Sequence, residues 1–121
     1  MPPIEKALSY NSPHRFDMNF QQLKPRCCDV FVWFAVWKDR IIYWVFKNDE
    51  VEHSAYFSHG QHRGNVGEGQ LWITEKNIHD FDEWSVTPSQ ILSKIVEKYK
   101  LPPYEERVNK DITEIFKYIR K

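Results

Sequence analysis

The residues best suited to chemistry lie together in one segment, Ser58 to Gln70. All four glycines of the chain fall in it, so backbone freedom is concentrated beside polar side chains, a combination typical of contact loops. Arg63 is able to make a bidentate contact to guanine or phosphate, and Gln61, Asn65 and Gln70 suit the edges of adenine. The segment is thus a candidate binding loop, although on this chemistry alone a plain polar connection at the surface is slightly favoured.

Three other chemistries fit the sequence less well. The glycine spacing lacks the lysine and hydroxyl residue that end a phosphate-binding loop. His53, His59 and His62 lack the close set of four ligands that structural zinc requires. Cys27 and Cys28 adjoin a predicted buried strand, where cysteine usually acts as a small packed hydrophobe rather than a nucleophile. A disulfide between neighbours is strained, so we expect both thiols to be reduced.

The elements that position the loop are predicted to be strands. Residues 29–37 and 41–46 are runs of β-branched and aromatic residues that are apolar on both faces, as in central strands covered on each side. The polar break at 38–40 joins them as an antiparallel hairpin. Residues 71–74 form a short third strand. We expect a mixed α/β fold in which this hairpin and the further strand share a central sheet flanked by helices.

Helices are predicted from apolar spacing and capping residues. Ser12 and Pro13 start a helix over 13–24 with Phe16, Phe20 and Leu23 at helical spacing. Short helical turns are expected over 49–53 and 77–84. Thr87, followed by proline, caps a helix whose predicted buried stripe is Ile91, Leu92, Ile95, Val96 and Tyr99. A last amphipathic helix is predicted over 109–120.

The composition bounds the class of protein. With 121 residues, the chain is expected to form a single domain over 1–121 with its core in 13–100. Aromatic residues make up 16% and charged residues 28%, which predicts a globular chain. The aromatics of the predicted hairpin are expected in the core, with Trp72 and Trp84 as the exposed rings. Without a secretory or membrane-spanning apolar run, a cytoplasmic location without membrane partners is expected.

The zero formal net charge conceals segregated blocks. Residues 1–48 carry seven basic and four acidic residues, a net charge of +3. Residues 49–85 carry two basic and eight acidic residues, a net charge of −6, and the remainder carries +3. A neutral total argues against indiscriminate binding of polyanions, but segregation leaves room for a local basic face. Ordinary solvated faces are the simpler interpretation of the blocks.

The succession of these segments resembles a known family. The resemblance is carried by 15–25, 29–37, 41–45, Gly60 to Asn65 and Gln70 to Ile73, and spans 4–100. This layout resembles the C-terminal half of type II restriction-endonuclease-like proteins of the PD-(D/E)XK class. The resemblance implies double-stranded DNA as the partner and, in a catalytic member, Mg²⁺ held by an aspartate and an acid-x-lysine strand.

The catalytic positions implied by the resemblance are incomplete. The acid-x-lysine strand falls on Glu5 and Lys6, which are adjacent and so face opposite sides of a strand. With Asp29 they form the candidate catalytic set, and Glu5 and Asp29 the candidate Mg²⁺ ligands. We expect a DNA-binding domain of a truncated or catalytically incomplete nuclease, with contacts from His59, Gln61, His62, Arg63, Asn65 and Gln70.

Two alternatives remain open at this point. The first is an interaction or structural domain without a nucleic-acid role, which docks a partner or self-associates. The second is an active Mg²⁺-dependent endonuclease that uses the candidate catalytic set. A second copy of the chain, or a polypeptide that carries a catalytic half, is the protein partner considered.

Overall fold

The first of two sheets has three antiparallel strands. The computed structural model describes residues 8–13, 15–59 and 68–107. The first sheet has the order β1-β5-β4. Its strands are β1 (Asp17–Leu23), β4 (Phe57–His59) and β5 (Gly69–Thr74). The predicted strand at 71–74 is thus confirmed as part of β5, which is the central strand of this sheet.

The second sheet is also antiparallel and has the order β2-β3-β6. Its strands are β2 (Val30–Val36), β3 (Ile41–Lys47) and β6 (Ser85–Val86). The predicted hairpin is confirmed, since β2 and β3 pair without a break from Val30↔Lys47 to Val36↔Ile41. The prediction of one central sheet is wrong, because the hairpin and β5 belong to different sheets.

The helices are short. They are α1 (Asn48–Glu52) and α2 (Ile91–Lys100), with 3-10 turns at Pro25–Cys27, Ile78–Trp84 and Pro88–Gln90. The helical turns predicted over 49–53 and 77–84 are confirmed, as is the Thr87 start, where Thr87 and Gln90 form a capping box. Within the described ranges no helix is both long and apolar enough to cross a membrane. The predicted helix over 109–120 lies outside the described residues.

The predicted helix over 13–24 is wrong, since this segment contains β1. Met18 and Phe20 pair with Ile73 and Leu71 of β5, and the alternation of apolar and polar residues places both on the core side. The register then shifts between Phe20 and Leu23, and Gln22 there has a positive φ of 54°. This bulge brings Leu23 back to the core, so its spacing from Phe20 resembles that of a helix.

Strand β2 is an edge strand covered on one face only, contrary to the prediction of a central strand covered on both. Trp33, Ala35 and Trp37 are buried. Phe34, by contrast, is 58% exposed, and Val32 and Val36 are also exposed. A nearly continuous run of apolar residues therefore does not show, in this strand, that both faces are covered.

The core lies between the two sheets and is largely aromatic. Phe20 of β1 stacks on Trp33 of β2 with ring centroids 4.2 Å apart and planes 8° apart. Phe16 meets the edge of Trp37 at 5.3 Å. Trp44 and Phe46 of β3 are almost fully buried, as predicted for the hairpin aromatics. Because large rings fill the space between sheets, apolar burial is the main stabilising contribution.

Helix α2 covers only part of the opposite face of the second sheet. Val45, which faces the same side as Val32, is fully buried, and Lys47 on that side donates from Nζ to the Lys98 carbonyl at 3.3 Å. The prediction of a buried stripe on α2 is wrong for three of its five residues. Leu92, Val96 and Tyr99 are exposed, because α2 turns Ile91, Ile95 and Lys98 toward the sheet.

Two adjacent carboxylates at the start of α1 tie these elements together. Glu50 accepts a hydrogen bond from the Lys47 amide at 2.7 Å, from Trp84 Nε1 at 2.9 Å and from Lys98 Nζ at 2.9 Å. Asp49 accepts from the Tyr104 amide at 3.0 Å and from Arg107 Nη2 at 2.8 Å. Both carboxylates are at least four-fifths buried, so solvent screens these bonds weakly.

Replacement of Glu50 by alanine is therefore expected to destabilise the fold strongly. It removes acceptors from Trp84 and from the mostly buried Lys98 ammonium, and we expect a loss of about 2–4 kcal/mol in the free energy of unfolding. Urea denaturation measures it. Glu52→Ala is the control, since it breaks only a pair with the largely exposed Arg26, and about 0.5 kcal/mol is expected. Equal losses in both variants would contradict the role of Glu50.

Candidate functional site

The predicted contact loop leaves the first sheet from a paired base. Strands β4 and β5 remain in register up to the last described residues on either side, with Phe57 opposite Leu71, Ser58 opposite Gln70 and His59 opposite Gly69. The predicted contact segment therefore joins two paired antiparallel strands, and its middle, residues 60–67, lies outside the described residues. Its ends are fixed by the sheet, so the position from which the loop departs is defined.

Gly69 is required for this base to close. A Cβ at this position would lie 2.3 Å from Phe57 Cζ and 2.6 Å from the Ser58 carbonyl oxygen. The second atom belongs to the backbone of the paired strand and has little freedom to yield. Gly69 therefore allows β4 and the Phe57 ring to approach β5 more closely than any other residue would.

The outer face of the first sheet continues from the loop as a polar surface. Gln70 Oε1 accepts a hydrogen bond from Asn19 Nδ2 at 3.2 Å, and Asn19 stands opposite Trp72 in the neighbouring strand. The Trp72 ring is 36% exposed, as predicted, whereas Trp84 is half-buried. Gln21 and Ser58 are exposed on the same side. Amide groups and one indole thus border the base of the loop.

The structure describes two of the six predicted DNA-contact residues. His59 is exposed at the end of β4, where its ring meets the edge of Phe57 at 4.7 Å. Gln70 is half-buried, and its bond to Asn19 agrees with a role in anchoring the far end of the loop. The other four, Gln61, His62, Arg63 and Asn65, lie outside the described residues. Glu68, buried to 7% exposure, leads back into β5.

The candidate catalytic residues are not brought together by the described part of the chain. Glu5 and Lys6 lie outside it. Asp29 is exposed before β2, whereas Leu8, where the described chain begins, accepts a hydrogen bond from the Lys38 amide at 2.8 Å, beyond the other end of β2. Nine extended residues span roughly 30 Å. Residues 5–7 span only about 10 Å when extended, so Glu5 cannot reach Asp29 to share one Mg²⁺.

Neither cysteine nor histidine chemistry is assembled among the described residues. No group of three or more metal-ligating side chains occurs there. Both thiols are free, as predicted. Burial, with a smaller contribution from the Asp29 charge, raises the pKa of Cys28, so its thiol stays protonated and poorly nucleophilic near neutral pH. His53 stacks on Tyr104 with centroids 3.8 Å apart.

A cavity of about 560 Å³ lies on another side of the molecule, between α1, the 78–84 turn and the helical turn at 104–107. Aromatic rings form much of its lining, with Glu50 and Asp80 among the polar groups. The sequence patterns do not predict this cavity. The signal that they contain is the −6 charge of 49–85 beside Tyr56 and Trp84, a pattern also typical of solvated surface.

Comparison of the chain with protein-family models, curated proteins and solved structures finds no significant match. The resemblance to restriction-endonuclease-like proteins therefore stays a prediction, and the function is argued from the geometry of the chain itself.

The close approach of β4 to Gly69 yields a prediction. Gly69→Ala places a methyl group against the Ser58 carbonyl, and we expect a loss of about 1–3 kcal/mol in the free energy of unfolding from overpacking. Urea denaturation followed by tryptophan fluorescence measures this. Ser58→Ala, which removes an exposed hydroxyl from the same pair of strands, is expected to change stability by less than about 0.5 kcal/mol. A Gly69→Ala variant as stable as the Ser58→Ala variant would contradict the close packing.

Proposed function

We propose that the protein binds double-stranded DNA through the loop between β4 and β5. The observation that supports this most is the pairing of His59 with Gly69 at the base of the loop, so that the loop departs from the end of the three-stranded sheet. We expect the side chains of the loop, and not the sheet, to enter the major groove of B-DNA, where each base pair presents a distinct pattern of donors and acceptors. The loop carries Arg63, Asn65 and Gln61, whose side chains match base edges and phosphates in that groove.

The surroundings of the base support the same proposal. Asn19 and Gln70 are tied to each other, so that the face beside the loop is ordered by its own hydrogen bonds. His59 and Gln21 are exposed next to it and offer hydrogen-bonding groups to sugars and phosphates. Arg63 is the one lysine or arginine residue in 58–70, so we expect the affinity for DNA to depend on it.

Arg63→Ala is therefore expected to weaken binding to duplex DNA. The loss should correspond to about 1–3 kcal/mol, or roughly 5- to 100-fold in Kd, when fluorescence anisotropy is measured with a labelled duplex at about 0.1 M salt. Lys38→Ala removes a cation from the distant turn between β2 and β3 and should bind as the wild type does. Equal binding by the wild type and Arg63→Ala would rule out the proposal.

A second function, self-association, is favoured by the exposed edge of β2. Trp37 donates to the Arg40 carbonyl and Asn48 to the Asp29 carbonyl, which fixes the odd-numbered residues as those bonded to β3. The even-numbered residues Val30, Val32, Phe34 and Val36 thus direct their backbone groups outward. Three of them also expose their side chains, and edges of this kind pair with other strands.

A second copy of the same strand is the partner that suits this edge. Residues 30–36 contain no charged side chain, so two copies approach in antiparallel orientation without repulsion. A two-fold contact would continue the second sheet through both molecules and would place the two exposed Phe34 rings side by side. The exposed side chains of β2 would then gain cross-strand neighbours from the second copy.

This second function predicts a dimer at high protein concentration. Phe34→Lys places a charge beside its copy and should shift the molecule to a monomer in sedimentation experiments, because like charges at a two-fold contact repel. Leu92→Lys, which alters an equally apolar and exposed residue on α2, should leave the dimer intact. A wild-type protein that sediments as a monomer at every concentration would exclude self-association through β2.

A further inference from the structure

Aromatic rings line much of the cavity beside α1. The ring of Phe81 lies 5.5 Å from that of Tyr56 at an angle of 42°, and 6.2 Å from that of Trp84 at 51°. Tyr104, which stacks on His53, contributes a further ring to the lining. Phe81 is only 1% exposed, so the rings that a ligand can reach are those of Tyr56, Trp84 and Tyr104, and such rings attract cations.

The charged groups that line the cavity differ in whether neighbouring groups balance their charge. The Glu50 carboxylate is saturated by Lys98, Trp84 and the Lys47 amide. The Arg107 guanidinium is committed to Asp49 and to the Pro102 carbonyl. The charges of both groups are therefore balanced by partners within the protein and not by a ligand.

Asp80 differs from these groups. Its carboxylate accepts a hydrogen bond from the Tyr56 hydroxyl, and among the described residues it forms no ion pair with a basic side chain. A neutral phenol orients the carboxylate without cancelling its charge. Because this hydrogen bond raises the pKa of Tyr56, the hydroxyl stays protonated at physiological pH. The lining thus combines several rings with one uncompensated negative charge.

From this combination we propose that the cavity binds a quaternary ammonium group. Such a group spreads its positive charge over methyl groups and has no hydrogen to donate, so it suits ring faces better than a primary ammonium does. Tyr56, Trp84 and Tyr104 contact the methyl groups, the buried Phe81 supports the rings from behind, and Asp80 supplies the counter-charge. A volume of about 560 Å³ admits the ammonium group together with the atoms attached to it.

Choline is the probe that tests the site, and its neutral tert-butyl isostere, in which carbon replaces nitrogen, is the matched ligand. In a ¹H–¹⁵N NMR titration of the full chain, choline should shift the Trp84 indole resonance saturably, with a dissociation constant on the order of millimolar. The isostere, which has the same shape and no charge, should bind several-fold more weakly. Equal binding of the two ligands, or no saturable shift with choline, overturns the proposal.

Two variants test whether Asp80 supplies the negative charge that binds choline. Asp80→Asn keeps the shape of an exposed side chain and should weaken choline binding several-fold. Asp82→Asn removes an equally exposed carboxylate two residues away, which bonds to His79 and lies outside the cavity lining, and should leave binding unchanged. If both variants weaken binding equally, general acidity attracts the ligand and the assignment of Asp80 is wrong. The measurement is independent of DNA binding, so the two proposals fail separately.

Discussion

The carboxylates of Asp49 and Glu50 are the interaction on which the arrangement of the second half of the chain depends. They follow β3 directly, at the start of α1, where the helix dipole favours negative charge. From there Glu50 holds the 78–84 turn through Trp84 and holds α2 through Lys98, while Asp49 holds the helical turn at 104–107. Apolar packing alone is not directional, so these charge-assisted bonds determine where three successive segments dock.

This arrangement separates three surfaces by chemistry. The end of the first sheet presents the proposed DNA-contact loop on a base closed by Gly69. The edge of β2 presents uncharged apolar residues, because α2 packs mainly on β3 and covers the outer strand only in part. The cavity beside α1 combines rings and an acid because the same carboxylate network brings the 78–84 turn to the turn at 104–107. One structural constraint thus leaves both the apolar edge and the cavity available.

Much of the fold was predictable, and the errors have physical causes. The β2–β3 hairpin and the Thr87 capping box depend on local sequence, and both predictions are confirmed. The helix predicted over 13–24 failed because the bulge at Gln22 brings Phe20 and Leu23 to one face, which imitates helical spacing. The exposure of Phe34 depends on where α2 lies, which is fixed by Lys98 and Glu50, 48 residues apart. The cavity likewise arises from contacts that sequence periodicity does not report.

The central claim is that DNA contacts the loop end of the first sheet. Mapping of backbone ¹H–¹⁵N shifts on addition of a short duplex tests it most directly, since it reports every surface at once. The account predicts shifts at His59, Gly69, Gln70 and the residues of the loop between them, with the β2–β3 turn and α2 unchanged. Shifts confined to those other surfaces, or no shifts at all, would contradict it.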